Sequence, residues 1–305
     1  MTVAWITHPD CRRHEMGPDH PERPRRLEAI EDQLGASGLD ILLRHVEAPA
    51  VTREQLLRVH DADYLDRLEA QVPEAGYFAI DDETAMNPYT LAAARRAAGA
   101  VIAGVDRVLG GESAAAFCAV RPPGHHAERD RAMGFCFYGN LAVGVAHAIE
   151  HHGLERVAVA DFDAHHGNGT EHLLQDRAEV LLCSCYQHPL FPHWGPEDAN
   201  RNAIHVPLAA GAKGTEFRAA IGDHWLPALE AFRPQLLLIG AGFDGHAEDE
   251  MSDLLLGDED YAWVTRQLAD VARRHAGGRI VSSLEGGYSL PALGRCVARH
   301  VDELL

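Results

Sequence analysis

Val157-Ala158-Val159-Ala160-Asp161-Phe162-Asp163-Ala164-His165-His166-Gly167-Asn168-Gly169 is a short unbroken apolar run that ends on carboxylates and imidazoles. An apolar run of this length, with no polar residue alternating along it, reads as a strand covered on both faces. Working outward, the same kind of run recurs at Val3–Ile6, Ala115–Val120, Val180–Cys185, Ala203–Pro207, Leu236–Ile239 and Arg279–Ser283. Helical patterns separate them. Thr52-Arg53-Glu54-Gln55 is a capping box that opens a broken helical stretch reaching Leu68. Asn87-Pro88 offers an N-cap and an N1 proline to an Ala-rich helix ending at Gly110-Gly111. Further helices run from Gly257-Asp258 to about Gly277 and from Leu290 to Leu305. Strand and helix alternating in this way predict an α/β fold, an open, doubly wound, mostly parallel sheet with helices on both faces. No repeat or Pro/Ser linker divides the chain, so residues 1–305 are expected to form a single domain.

In such a sheet, ligands bind beyond the carboxyl ends of the strands. Four polar clusters fall there: Arg121-Pro122-Pro123-Gly124-His125-His126, the Asp161–Gly169 run, Gly240-Ala241-Gly242-Phe243-Asp244, and Leu284-Glu285-Gly286-Gly287-Tyr288. Asp163 and His165 stand two apart as the chain leaves a strand, so a carboxylate and an imidazole can point the same way, and Asp244 can join them from another strand. Two carboxylates and one imidazole with a place left open fit a catalytic Zn²⁺ site, and the lack of cysteine argues against a closed structural one. His125 and His126 supply a base and an acid near neutral pH, and the Tyr288 hydroxyl can serve a developing oxyanion. His151-His152, in the polar stretch after a helix, read as ordinary surface histidines.

Composition narrows the function classes. Lys+Arg 27 against Asp+Glu 46 leaves a formal charge of −19. That balance argues against nucleic acid or an anionic membrane as partner, because both need clustered positive charge. Histidine, at 20 residues, is in excess and directs the search toward a metal. No stretch has the roughly 18 successive apolar residues of a membrane span. The start of the chain lacks a basic and apolar leader, and the six cysteines form no CxxC pair. The expected setting is the reducing cytoplasm.

Taken together, RPPGHH (121–126), GFCFYGN (134–140), DFDAHHGNGT (161–170), GFD (242–244) and LEGGY (284–288) strongly resemble the histone deacetylase superfamily. The similarity is to its class II-like bacterial histone deacetylase-like amidohydrolases, and it begins at His20-Pro21-Glu22-Arg23-Pro24. It implies the arginase/deacetylase fold, a three-layer arrangement around about eight strands, and zinc-dependent hydrolysis of N-acyl amines such as acetyl-lysine. Carried onto this chain, it implies Asp163, His165 and Asp244 as the ligands of one Zn²⁺, with His125 and His126 as the histidine pair and His126 the better candidate for base and acid. Asp161 would orient His125, Asn168 would partner His126, and Tyr288 would be the catalytic tyrosine. Gly134, Phe135 and Phe191 would line the acyl-lysine tunnel, and Asp161, Asp163, His165, Ser184 and Cys185 would surround a structural K⁺. Two departures stand out. The rim acid falls within Asp81-Asp82-Glu83 without being singled out, and Met251 takes the rim position where a Glu would favour acetylpolyamines.

The implied substrate is an acylated lysine of a protein or peptide, or a small acylated amine; a homo-oligomer stays open. Three alternatives accompany this reading. They are an acetylpolyamine deacetylase, a non-catalytic binder of acyl ligands, and an arginase-like dimetal hydrolase, against which Gly245-His246 after Asp244 leaves no second bridging carboxylate.

Overall fold

The computed structural model describes residues 2–195 and 199–305. In chain order the strands are β1 (Val3–Thr7), β2 (Leu43–Glu47), β3 (Phe78–Ala79), β4 (Ala85–Met86), β5 (Ala115–Cys118), β6 (Val157–Asp161), β7 (Val180–Gln187), β8 (Ala203–Leu208), β9 (Leu236–Ala241) and β10 (Ile280–Leu284). The helices are α1 (Arg25–Ser37), α2 (Arg53–Leu56), α3 (Ala62–Ala70), α4 (Thr90–Leu109), α5 (Asn140–Glu150), α6 (Asn168–Leu174), α7 (Gly214–Ala220), α8 (Leu226–Phe232), α9 (Asp258–His275) and α10 (Leu290–Leu304). Eight strands form one sheet in the order β2-β1-β5-β10-β9-β6-β7-β8. Every pairing in it is parallel. The remaining two, β3 and β4, make a small antiparallel ribbon.

The apolar runs become the central strands because each is covered twice. Residues 157–161, 236–241 and 280–284 are buried throughout. On one face α4 packs so closely on β10 that a Cβ on Gly104 would come 2.8 Å from Val281. On the other, His300 of α10 binds Ser282 (Nε2 to Oγ, 2.9 Å). Strand β2 escaped the sequence reading for a physical reason: it is an edge strand with largely exposed side chains, so Leu43-Arg44-His45-Val46-Glu47 carries no continuous apolar signal. Helix α5 is hidden by the opposite problem, since every residue from 140 to 148 is buried and no polar face marks its period.

The capping box at Thr52 is present in both directions, 3.3 Å to the Gln55 N–H and 2.9 Å from the Thr52 N–H. The Ala-rich helix requires a correction. It begins at Thr90, not at Pro88, because Asn87 Oδ1 accepts the Tyr89 N–H (3.0 Å) and Thr90 Oγ1 accepts the Asn87 N–H (2.9 Å), closing a turn ahead of the first helical residue. Among the described residues no helix is long and apolar enough to cross a membrane.

Candidate active site

Strands β5, β10, β9 and β6 are neighbours in the sheet, so the four polar clusters that follow them meet on one stretch of its carboxyl edge. Asp163, His165 and Asp244 are all buried. His165 Nδ1 lies 3.2 Å from Asp163 Oδ1 and 2.9 Å from Asp244 Oδ2. Backbone N–H groups fix the carboxylates from behind: Gly286 donates to Asp163 Oδ2 (2.8 Å) and Ala164 to Asp244 Oδ1 (2.9 Å). Glycine is required for this approach, because a Cβ at Gly286 would lie 2.3 Å from Asp244 Oδ2 and one at Gly242 would lie 1.9 Å from Asp163 Oδ2.

The donor set calls for a positive charge at its centre. Burial disfavours the charged imidazolium of His165, yet Asp244 and Asp163 outweigh it and lift the pKa to about 10. Asp244 is pushed up, first by burial and then by repulsion from Asp163. Two buried carboxylates beside one imidazole are the residues that fit a divalent metal: the ion would neutralise both and take the place of the proton on His165.

Two histidine dyads flank this trio and are set to opposite states. His125 Nδ1 lies 3.1 Å from Asp161 Oδ2; against the cost of burial, Asp163 and Asp161 hold its pKa at about 10. His126 Nδ1 instead faces Asn168 Oδ1 at 2.8 Å, and the Asn168 amide is oriented by donating to Glu128 Oε1 (2.7 Å). An amide oxygen accepts a hydrogen bond but brings no charge. Burial, followed by the neighbouring His125 and His165, therefore pushes His126 well below its ordinary value. The hydrogen bond keeps its proton on Nδ1 and leaves Nε2 as an open base.

A cavity of about 200 Å³ opens over these groups, lined by His125, His126, His165, Phe135, Phe191 and Tyr288. Gly134 and Phe135 both sit in the left-handed region (φ 54° and 68°). A Cβ at Gly134 would come 2.5 Å from the His126 ring, so this bend brings backbone against the imidazole and turns Phe135 into the wall. Phe191 meets the His126 ring edge-on at 5.0 Å. Tyr288 lies edge-to-face with Phe135 at 5.9 Å, and its N–H donates to Asp249 Oδ2 (2.6 Å). Burial holds its hydroxyl protonated, well above the ordinary pKa.

The histone deacetylase domain, as a family sequence pattern, matches residues 20–304. The chain is 40% identical to the histone deacetylase-like amidohydrolase of Pseudomonas aeruginosa, over 99% of this chain and 79% of that protein. The chain belongs to the histone deacetylase family. Another similar family member is a probable deacetylase of Archaeoglobus fulgidus, 35% identical over 95% of this chain and 82% of that one. Human polyamine deacetylase HDAC10 is 35% identical over the whole chain and 48% of its own length. Among solved structures, the HD domain of HDA15 superposes with a TM-score of 0.93 at 29% identity, covering 99% of this chain and 88% of that one. The eight-stranded sheet with helices on both sides is thus the arginase/deacetylase fold.

Within this family member, the expected residues fall as follows. Gly134, Phe135, Phe191 and Met251 all line the cavity. Of the three rim acids, Glu83 lines it, whereas Asp81 Oδ1 accepts the N–H groups of Glu83 (2.9 Å) and Thr84 (2.6 Å) and so shapes the turn. Asp161 pairs in register with Ser184 across β6 and β7, while Ser184 Oγ lies 2.8 Å from His166 Nδ1.

Other residues of consequence show their partners only in three dimensions. Glu22 and Arg26 are fully buried; Glu22 pairs with Arg121 and, at 3.2 Å, with Arg26. Arg26 in turn donates to the Gly287 carbonyl (2.7 Å) and the Glu285 carbonyl (2.5 Å), bracing the Tyr288 loop. Glu285 accepts the N–H groups of Gly124 (2.7 Å) and His125 (3.1 Å). The available signal was a Pro-bounded Glu-Arg run ahead of a helix, which looks like any solvated helix start until its partners are known.

Proposed function

We propose that this chain is a zinc-dependent deacetylase that removes acetyl or other acyl groups from N-acyl-lysine side chains or related N-acyl amines. One observation carries the proposal: an uncharged His126 and His165, the imidazole of the cation-demanding Asp163–His165–Asp244 trio, line one narrow aromatic-walled cavity. Asp163, His165 and Asp244 would hold the metal, which when bound polarises the acyl carbonyl and lowers the pKa of water. His126 Nε2 takes a proton from the attacking water. Tyr288 donates its hydroxyl to the carbonyl oxygen as that oxygen gains negative charge. As the C–N bond breaks, His125 or the newly protonated His126 gives a proton to the leaving amine, so one water and one amide yield a carboxylic acid and an amine, which at neutral pH separate as a carboxylate and an ammonium. Phe135 and Phe191 enclose an apolar stem, with Gly134 letting it pass close to backbone and Met251 and Glu83 at the mouth. The reading includes a K⁺ held near Asp161, Asp163, His165, Ser184 and Cys185, partly by backbone carbonyls. The six buried free thiols agree with a reducing cytoplasm as the place of action.

A second substrate, an acetylpolyamine, is favoured by a neighbouring hollow in which Asp19, Glu248, Asp249 and Glu250 surround Met251 and Tyr288. The test is hydrolysis of a fluorogenic acetyl-lysine peptide, beside acetylpolyamines, after chelation and again after Zn²⁺ is returned. Turnover should vanish and return, a hydroxamate should block it, and Asp244→Asn should lose both metal and turnover. Hydrolysis indifferent to the metal would defeat the proposal; binding of acyl-lysine without turnover would make the chain a binder.

A further inference from the structure

At the opposite, amino-terminal end of the sheet, the last turn of α5 faces the last turns of α4. Gly153, in the left-handed region (φ 70°), ends the α5 turn and donates its N–H to the Ile149 carbonyl (3.0 Å). His147 and His151 are one helical turn apart, and their rings stack at 4.8 Å. The His152 ring lies 4.9 Å from that of His151 and 5.3 Å from that of His147. From α4, Asp106 points its Oδ1 at both His147 Nε2 and His152 Nε2, 2.7 Å from each. Each of the four side chains offers one donor atom, and these atoms all lie within 4.8 Å of one another.

Three imidazoles and one carboxylate from two packed helices are a ligand set for a borderline divalent transition metal. Ca²⁺ and Mg²⁺, which prefer oxygen, would not select it. We propose that Asp106, His147, His151 and His152 form a second metal site, separate from the catalytic one, that binds Zn²⁺ or a chemically similar ion and clips α4 to α5. Metal–ligand bonds of about 2.0–2.2 Å put tetrahedral donors roughly 3.3 Å apart, so the set has to close by at most about 1.5 Å to hold one ion. Two observations show that the set is accessible and partly prepared. Among the described residues the His151 side chain has ring contacts and no hydrogen bond, so it is free to ligate. His147 is buried and already held, its Nδ1 accepting from Arg58 Nη1 at 3.2 Å. Ligation through Nε2 puts the imidazole proton on Nδ1. His147 reaches that state when Arg58 exchanges this contact for Glu150, from which its Nε is 3.4 Å away. The charge of −19 favours arrival of a dication.

Metal counting after equilibration of the full chain with Zn²⁺ tests the site. The parent should hold two equivalents, and the double variant His151→Ala/His152→Ala one, with acyl-lysine turnover within about twofold of the parent. Asp163→Asn/Asp244→Asn should also hold one, and that remaining equivalent should fall at least tenfold in affinity when Asp106→Asn is added. A parent that binds one equivalent, kept by His151→Ala/His152→Ala, overturns the proposal; so does a second equivalent that the double variant retains. One equivalent lost in His151→Ala/His152→Ala but kept in Asp163→Asn/Asp244→Asn would uphold this site and count against the catalytic metal. The two readings therefore fail separately.

Discussion

Both ends of the parallel sheet gather histidine, but they do so under different constraints. At the carboxyl end, Asp163 and His165 follow β6 and Asp244 follows β9; all three are buried, and both carboxylates are tied to backbone N–H groups with glycine clearing the space. At the amino end, His147, His151, His152 and Asp106 sit on helix turns, and Asp106 and His151 are open to water. Burial makes the difference. Two carboxylates forced together away from solvent raise the free energy of the ion-free state, so the first group is poised for chemistry on a bound ion. The second relaxes into ordinary hydrogen bonds and suits a clip. Histidine number marks neither; the electrostatic surroundings distinguish them.

The largest effect should come from His126. Replacing it by Ala should lower kcat by about 10²–10⁴ with metal content unchanged; near-parental turnover would break the contrast by showing that the neutral dyad is idle. Glu22→Ala comes next. It leaves Arg26 and Arg121 buried without their carboxylate, and unfolding in urea should show a loss of about 3–5 kcal/mol. A loss below about 1 kcal/mol would mean that the carboxyl-end loops do not depend on that brace. Tyr288→Phe should reduce kcat by ~10²–10³ while one zinc equivalent remains at the catalytic site.

A smaller effect concerns histidines that serve neither end. His60 and His300 are buried and neutral, their pKa values pulled by burial to about 4 and about 3. Both folded values lie below the unfolded one, so their stability is complete above about pH 6.5 and is lost as pH falls through it, by roughly 2 kcal/mol each near pH 5. Urea midpoints at about pH 7.5 and pH 5 measure this, and His300→Asn should narrow the gap; an unchanged gap would refute the assignment. Smallest of all, His151→Ala/His152→Ala should leave kcat/KM within about twofold, since the two ends share no residue.

The carboxyl end was readable because its candidate ligands sit two apart or directly after apolar runs, a spacing that survives in one dimension. Asp161-Phe162-Asp163-Ala164-His165 and Phe243-Asp244 carry their position on their face. Glu285, Asp249 and Glu22 did not, because what they do depends on N–H groups and guanidinium groups far off in the sequence: Gly124, Tyr288 and Arg121. The edge strand β2 and the wholly buried α5 were lost for the reverse reason, having too little or too much apolar character to show a period.

By itself the sequence determined the class of fold and the chemical character of the main site, since strand burial and ligand type are written in local residue patterns. The tertiary structure alone decided that β5, β10, β9 and β6 stand side by side and that Glu83 is the rim acid lining the cavity. It also decided that His125 and His126 are set apart by Asp161 and Asn168, and that histidines which read as surface residues converge on Asp106. Strand order and the field at a buried atom are sums over contacts distant along the chain, and no local pattern contains them.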